Sequence, residues 1–217
     1  SKEYIPFFEA LPIGRRCQSC GKRMASEEDK DEVLCEVCNI KREKGREKWR
    51  FLQQFAEWVE KKKNLEEMEK ILIPKSPKDL EELTRVFGGY MAFIYADGND
   101  IGSLLEKAGS PTHYRHIAEE LHKGIRDSIF GAIFDVFGEE RLEKFEKLPF
   151  EIINIGGDDI TLIIAAPFAF KFSKLFLERF EDNMKKLEEE LELNKKNEKI
   201  TISLGMTICK KDYPVYF

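Results

Sequence analysis

The sequence predicts an α+β protein in which a βαββαβ domain follows a small metal-binding module and a helical connector. Three observations lead there. Two C-x-x-C pairs, Cys17/Cys20 and Cys35/Cys38, lie near the N-terminus. Beyond residue 90, long stretches of helical periodicity alternate with short β-branched runs. Two of those runs flank Gly156-Gly157-Asp158-Asp159, a tight-turn signal because glycine takes positive φ without penalty.

At 217 residues the chain is long enough for one sizeable domain and a small one. Charged residues make up 35% of it, which predicts a globular body with a heavily charged surface, and the Glu and Lys abundance resembles that of heat-adapted proteins. A net charge of −5 argues against bulk electrostatic binding of nucleic acid and leaves room only for a local basic strip. No signal peptide and no membrane-length apolar run is present, so a cytoplasmic protein without a membrane partner is expected. The chain begins with Ser and stops at Phe217 directly after a strand-like segment, as expected of a piece of a larger protein.

Residues 1–16 carry Phe7, Phe8, Leu11 and Ile13, a lead-in predicted to pack on the module that follows. The two cysteine pairs supply four thiolates from two short turns, the donor set of tetrahedral Zn²⁺, and Gly21 follows the first pair where the chain must turn back. Four thiolates leave no open position, so the predicted zinc is structural. Asn39 to Ile73 reads as one long helix, with Trp49, Leu52, Phe55, Ala56 and Val59 at helical spacing and Leu65, Met68 and Leu72 continuing less regularly. Its basic residues, from Lys41 to Arg50 and at Lys61 to Lys63, read as a solvated face with Glu partners ahead of a nucleic-acid strip. Pro74, Ser76 and Pro77 mark a linker, and a short helix at Lys78 to Val86 ends at Gly88-Gly89.

From Tyr90 the pattern changes. Met91 to Ala96 is a strand closing on Asp97-Gly98-Asn99-Asp100, with Asp100 read as a helix N-cap. Pro111 to Phe137 carries an apolar stripe of Ile117, Leu121, Ile125, Ile129, Ile133 and Val136. Pro149 to Ile155 and Ile160 to Ala166 are the arms of a hairpin. Pro167 opens a helix running to about Leu193, Asn194 to Asn197 turn the chain, and Ile200 to Cys209 is a last strand with Cys209 as a core thiol. This order is the ferredoxin-like arrangement, four antiparallel strands with two helices on one face. The predicted domains are a zinc ribbon over 1–40, a helical connector over 41–85 and the βαββαβ domain over 86–217.

Taken alone, Gly-Gly-Asp-Asp fits a solvated turn as well as a metal site. The topology adds weight to the metal site. In the usual strand order the first strand lies beside the hairpin, so Asp97 is expected to face Asp158 and Asp159. Adjacent carboxylates are costly without a counter-charge, and hard divalent ions such as Mg²⁺ prefer such oxygens. Glycines 98, 102, 156 and 157 remove side chains where a triphosphate or base needs close approach, and the helix after Asp100 offers N–H groups to a phosphate.

A strand ending in Asp97-Gly98-Asn99-Asp100-Ile101-Gly102, a G-G-D-D hairpin and upstream C-x-x-C pairs together resemble the palm (nucleotidyl-cyclase-like) domain of the large subunit of type III CRISPR effector complexes. The resemblance covers most of the chain. It implies conversion of ATP to cyclic oligoadenylate messengers with two Mg²⁺ or Mn²⁺ ions, in a complex with other subunits, guide RNA and target RNA, and with a second palm. Carried onto this sequence, it makes Asp97, Asp158 and Asp159 catalytic metal ligands, with the Gly98 carbonyl as an extra ligand. Gly98, Asn99, Gly102, Ser103, Gly156 and Gly157 would border the nucleotide. Asn99 departs from the pattern, where a second acid is common. No histidine precedes an aspartate, and His113, His116 and His122 fall on a predicted helix surface, so no nuclease is expected here. Two other readings stand beside the ATP-using enzyme: an assembly module whose acids are relics, and a diguanylate-type cyclase, disfavoured by Ile160 where that turn carries Phe.

Overall fold

The computed structural model describes residues 14–29, 32–45, 50–193 and 198–213. The predicted lead-in at Phe7 to Ile13, Trp49 and the turn at Asn194 to Asn197 lie outside the described residues. The chain forms two compact units, Ser1–Lys48 and Trp49–Phe217.

In the first unit, β1 (Glu27–Asp29) and β2 (Glu32–Leu34) pair antiparallel and α1 (Glu36–Gly45) follows. So short a sheet buries little by itself. Its apolar centre is Leu34 with Cys17 and Cys35, and Cys20 and Cys38 pack against them.

The second unit opens with α2 (Arg50–Lys63) and α3 (Met68–Leu72). The single helix predicted over Asn39 to Ile73 is therefore broken. Asn64 and Glu67 adopt left-handed φ values of 53° and 60°, which end one helix and redirect the chain into the next. The break lets Met68 and Leu72 reach the same core as Leu52, Phe55, Ala56 and Val59, which an unbroken helix would carry past it. Phe55 packs on Phe130 and Phe150, with ring centroids 5.6 and 6.0 Å away. The helices assigned to a connector thus share a core with the sheet. The predicted linker at Pro74 to Pro77 is also tied down: Leu148 N–H donates to the Lys75 carbonyl at 2.9 Å, and Lys75 Nζ donates to the carbonyls of Leu142 and Glu143.

After α4 (Leu80–Thr84), capped by the Asp79 side chain, come β3 (Tyr90–Gly98), α5 (Ile101–Glu106), α6 (Pro111–Lys144), β4 (Phe150–Gly156), β5 (Asp159–Ala165), α7 (Ala166–Glu190) and β6 (Ile202–Lys210). The strand order is β4-β5-β3-β6, antiparallel throughout, which is the predicted ferredoxin-like order. Along β3, Ala92, Ile94 and Ala96 face α6 and α7, meeting Ile125, Ile129 and Ile133 of one and Phe172, Phe176 and Phe180 of the other within a single core. Gly138 breaks α6 at φ 66°, just past the predicted end at Phe137.

The opposite face of the sheet is covered only in part. Leu83 of α4 packs there on Met91, Ile163 and Ala165. Cys209 joins this smaller cluster and is only partly buried, because it lies near the end of an edge strand; the predicted core thiol is corrected accordingly. The remainder of that face, around Tyr95 and Asp97, is open. Among the described residues no helix is long and apolar enough to cross a membrane.

Candidate metal centre and nucleotide cleft

β3 and β5 bring the acids together. Their register runs from Met91 opposite Ala165 to Ala96 opposite Ile160, so Asp97 leaves the ladder beside the start of β5. Gly156 pairs with Asp159, leaving Gly157-Asp158 as a two-residue turn. Only Gly157 takes positive φ, 64°, as the first residue of a type II′ turn requires, and Gly156 remains in the strand. Asp97, Asp158 and Asp159 each present a carboxylate oxygen, and these atoms lie within 4.8 Å of one another.

The electrostatics fit a cation. A hydrogen bond that the protonated Asp97 carboxyl donates to Asp159, partial desolvation and the charges of Asp158 and Asp159 all push Asp97 above its usual range. Every one of these influences acts upward. Three carboxylates, at the end of β3, in the turn and at the start of β5, converge on one point and repel one another, forming the hard oxygen donor set that divalent ions take.

The neighbouring residues divide into two groups. Gly98 is buried at the end of β3, where a Cβ would lie 2.5 Å from the Ile101 side chain and 3.0 Å from Asp158 Cβ. The other group lines a cleft of about 500 Å³ beside α5: Asn99, Asp100, Ser103, Lys107, Glu198 and Lys199, floored by Ile101, Leu104, Leu193 and Ile200. Lys107 and Glu198 are ion-paired across it at 2.7 Å. Gly102 is exposed, and a Cβ there would touch nothing.

Asn99 is held at both ends of its amide. Its Nδ2 donates to Thr201 Oγ1 at 2.9 Å, Ser203 Oγ donates to its Oδ1 at 2.8 Å, and its backbone N–H donates to the Thr201 carbonyl at 2.9 Å. Asp100 sits at the N-cap of α5 with φ 55°, but its side chain makes no capping bond, which corrects the cap read from sequence. With six residues α5 is also too short for the phosphate-binding helix N-terminus expected there. The histidines lie on α6, where His116 Nε2 contacts Glu190 at 2.7 Å, and burial, with Arg126 nearby, lowers the pKa of His122. The lysines at the end of α2 are partnered: Lys61 with Glu57, Lys62 with Asp127, and Lys63 over the Phe134 ring.

In the first unit, Cys17, Cys20, Cys35 and Cys38 bring their sulfurs within 4.8 Å of one another, with Cys20 and Cys35 3.9 Å apart. Tetrahedral zinc with Zn–S bonds of ~2.3 Å needs sulfurs about 3.8 Å apart, so the cluster fits. Each pair is folded over a backbone bond, Gly21 N–H to the Cys17 carbonyl and Asn39 N–H to the Cys35 carbonyl, both 2.9 Å. Burial opposes ionisation of Cys17, but backbone N–H groups of Cys20, Cys35 and Ser19 outweigh it and bring the thiol down to about 6. Cys38, sharing a hydrogen bond with Cys35 and partly buried, is pushed up to about 11.

A family model described as Cas10/Cmr2, second palm domain, matches residues 90–217, the segment that carries all three acids. The chain belongs to this family. Cas10/Cmr2 palms are those of the type III CRISPR large subunit that the sequence resembles. Solved structures similar to this Cas10/Cmr2 chain include a Csm1–Csm4 subcomplex of the type III-A CRISPR-Csm interference complex, at 17% identity and a TM-score of 0.49 over 66% of this chain and 20% of that one. Csm1–Csm4 cassettes in complex with AMPPNP and with cA4 align at 17% identity and a TM-score of 0.48, each over 65% of this chain and 20% of theirs. The chain spans about a fifth of the length of those chains. No curated protein matches it.

Three residues at the centre were not singled out from sequence. Tyr95, two positions before Asp97 and so on the same strand face, donates its hydroxyl to Asp159 Oδ1 at 2.8 Å. Its spacing was the available signal. Thr201 and Ser203, which hold Asn99, come from a strand remote in sequence and gave none.

Proposed function

We propose that this palm is a divalent-metal-dependent nucleotidyltransferase that uses ATP to make cyclic oligoadenylates within a type III CRISPR RNA-guided complex. The observation that carries the reading is the convergence of Asp97, Asp158 and Asp159 within 4.8 Å at one rim of the sheet. These three side chains, with the Gly98 carbonyl, would hold Mg²⁺ or Mn²⁺. Bound ions supply the positive charge that favours ionisation of a ribose 3′-hydroxyl and neutralises departing pyrophosphate. The bond formed joins that 3′-oxygen to the α-phosphorus of a second ATP, and the bond broken releases pyrophosphate.

The protein's own part is placement. The two-residue turn fixes Asp158 and Asp159 on a short rigid arm, and β3 fixes Asp97 against it. Gly98 leaves space for the backbone to approach the hairpin. The cleft lined by Asn99 and Ser103 opens from the same strand end and is the natural room for a nucleotide, with Gly102, Gly156 and Gly157 proposed to border it. In the first unit, zinc on the four cysteines would be structural, since no ligand position is left open.

The test is the full effector assembly incubated with ATP and Mg²⁺ or Mn²⁺ under target-RNA activation. Pyrophosphate release that Asp158→Asn abolishes supports the reading, and absence of pyrophosphate from the intact assembly overturns it. GTP turnover in place of ATP would favour a diguanylate-type cyclase.

One observation favours a second reading, an assembly module without turnover. Asn99 stands where an acid is common, and its amide is committed to Thr201 and Ser203. A palm whose melting temperature is indifferent to both Mn²⁺ and ATP would support that reading.

A further inference from the structure

The open face of the sheet holds one contact that neither the turn nor the acids explain. Tyr95 is 46% exposed, in the middle of the central strand, with Thr161 opposite it on β5 and Gly205 opposite on β6. An aromatic ring so placed gains little from burial. Its hydroxyl nevertheless reaches along the strand pair to Asp159 Oδ1, 2.8 Å away. Asp159 lies two residues before Thr161 on β5, so the contact is the diagonal one that long side chains make across antiparallel strands. Asp159 also has a carboxylate oxygen within 4.8 Å of one on Asp97. It is therefore held on one side by a neutral donor and faces, on the other, the acid with which it would share a cation.

From this geometry we infer that Tyr95 is a positioning residue: its hydroxyl orients the Asp159 carboxylate toward Asp97 and Asp158, so that the three acids are arranged before a divalent cation arrives. The inference rests on the proposed metal-binding role of these acids. Asp159 is the first residue after a two-residue turn, and its partner across the hairpin, Gly156, has no side chain to set its torsions. A donor on one of its oxygens removes that freedom and leaves the other oxygen turned to the cluster. A phenol suits the role. It donates without adding positive charge, so it does not compete with the ion as a lysine or arginine would. Partners of this kind, one bond removed from the ion, typically change metal affinity by about 10–100-fold when deleted. Tyr95 is half exposed, which places it at the low end of that range.

The test uses the full-length protein and Mn²⁺ alone, titrated by electron paramagnetic resonance without nucleotide. Tyr95→Phe keeps the ring and deletes only the hydroxyl. We expect about tenfold weaker Mn²⁺ binding and an unchanged melting temperature in chelator. Asp159→Asn, which keeps an oxygen acceptor for the phenol but loses the charge, should bind Mn²⁺ more weakly than Tyr95→Phe does. A wild-type protein that binds no Mn²⁺ would overturn the metal reading itself. Wild type and Tyr95→Phe binding Mn²⁺ equally would overturn the role of Tyr95 alone. Weak binding by Tyr95→Leu with normal binding by Tyr95→Phe would make the ring a packing element and likewise overturn it.

Discussion

The backbone of Gly98 runs so close to the hairpin that a Cβ on it would stand 3.0 Å from the Cβ of Asp158. This one relationship couples the first strand to the acidic turn. Gly98→Ala should cost about 1–3 kcal/mol of stability, as overpacking does, and should weaken Mn²⁺ binding by displacing Asp158. Gly102→Ala, four residues on, meets nothing within 4 Å. It should leave Mn²⁺ binding intact and stabilise the chain by about 0.5–1 kcal/mol, the usual helix preference for Ala over Gly. Denaturant unfolding and Mn²⁺ titration of the two variants side by side check both statements.

The raised pKa of Asp97 makes a signed prediction about pH. Its causes are the hydrogen bond with Asp159, desolvation, and the charges of Asp158 and Asp159. Below the ordinary carboxylate range Asp97 is protonated in both folded and unfolded chains and contributes nothing. As pH rises through that range toward the raised value, the folded state loses stability, and the loss persists at neutral pH. In chelator, Asp97→Asn should therefore melt above wild type at pH 7 and level with it at about pH 3. With Mn²⁺ added the order should reverse, since the wild type gains a cation and the variant does not. Melting curves across this pH range, with and without Mn²⁺, read both effects.

Phe55 tests whether α2 is part of the palm body. It is fully buried against Phe130 of α6 and Phe150 of β4. Phe55→Ala should destabilise the second unit by about 3–5 kcal/mol, the usual cost of emptying a buried aromatic site. A helix that merely connected two domains would give under ~0.5 kcal/mol. Urea unfolding followed by far-ultraviolet circular dichroism distinguishes the two.

The cysteine cluster predicts one tightly held zinc per chain. Chelation, or Cys35→Ala, should release it and expose the amides of residues 14–45 to hydrogen exchange, because among the described residues Leu34 and the cysteines form the apolar centre of this unit. Amides in β3 and β5 should keep their protection. Metal analysis together with hydrogen-exchange mass spectrometry would show it. Uniform loss of protection over the whole chain would argue against a locally structural metal.

Elements set by local pattern were legible before any fold was known. The apolar runs at Met91 to Ala96 and Ile160 to Ala166 form β3 and β5, the latter ending one residue early where α7 begins, and the helical stripe from Ile117 to Val136 and the tight turn at the Gly-Gly-Asp-Asp hairpin lie where the residues placed them. The long helix from Asn39 was not legible. Its breaks at Asn64 and Glu67 arise because Met68 and Leu72 gain more by turning back to a shared core than by continuing a helix, and local spacing carries no information about that core.

By itself, then, the sequence determined the donor chemistry: four thiolates in two turns, and carboxylates at one strand end and one hairpin tip. Only the tertiary structure decided which donors meet and what holds them. The β3–β5 register put Asp97 beside Asp159, and the pairing of β6 with β3 committed the Asn99 amide to Thr201 and Ser203. Hydrogen-bonded pairing between strands far apart in the chain sets those distances, and it depends on the whole folded sheet, not on the order of neighbouring residues.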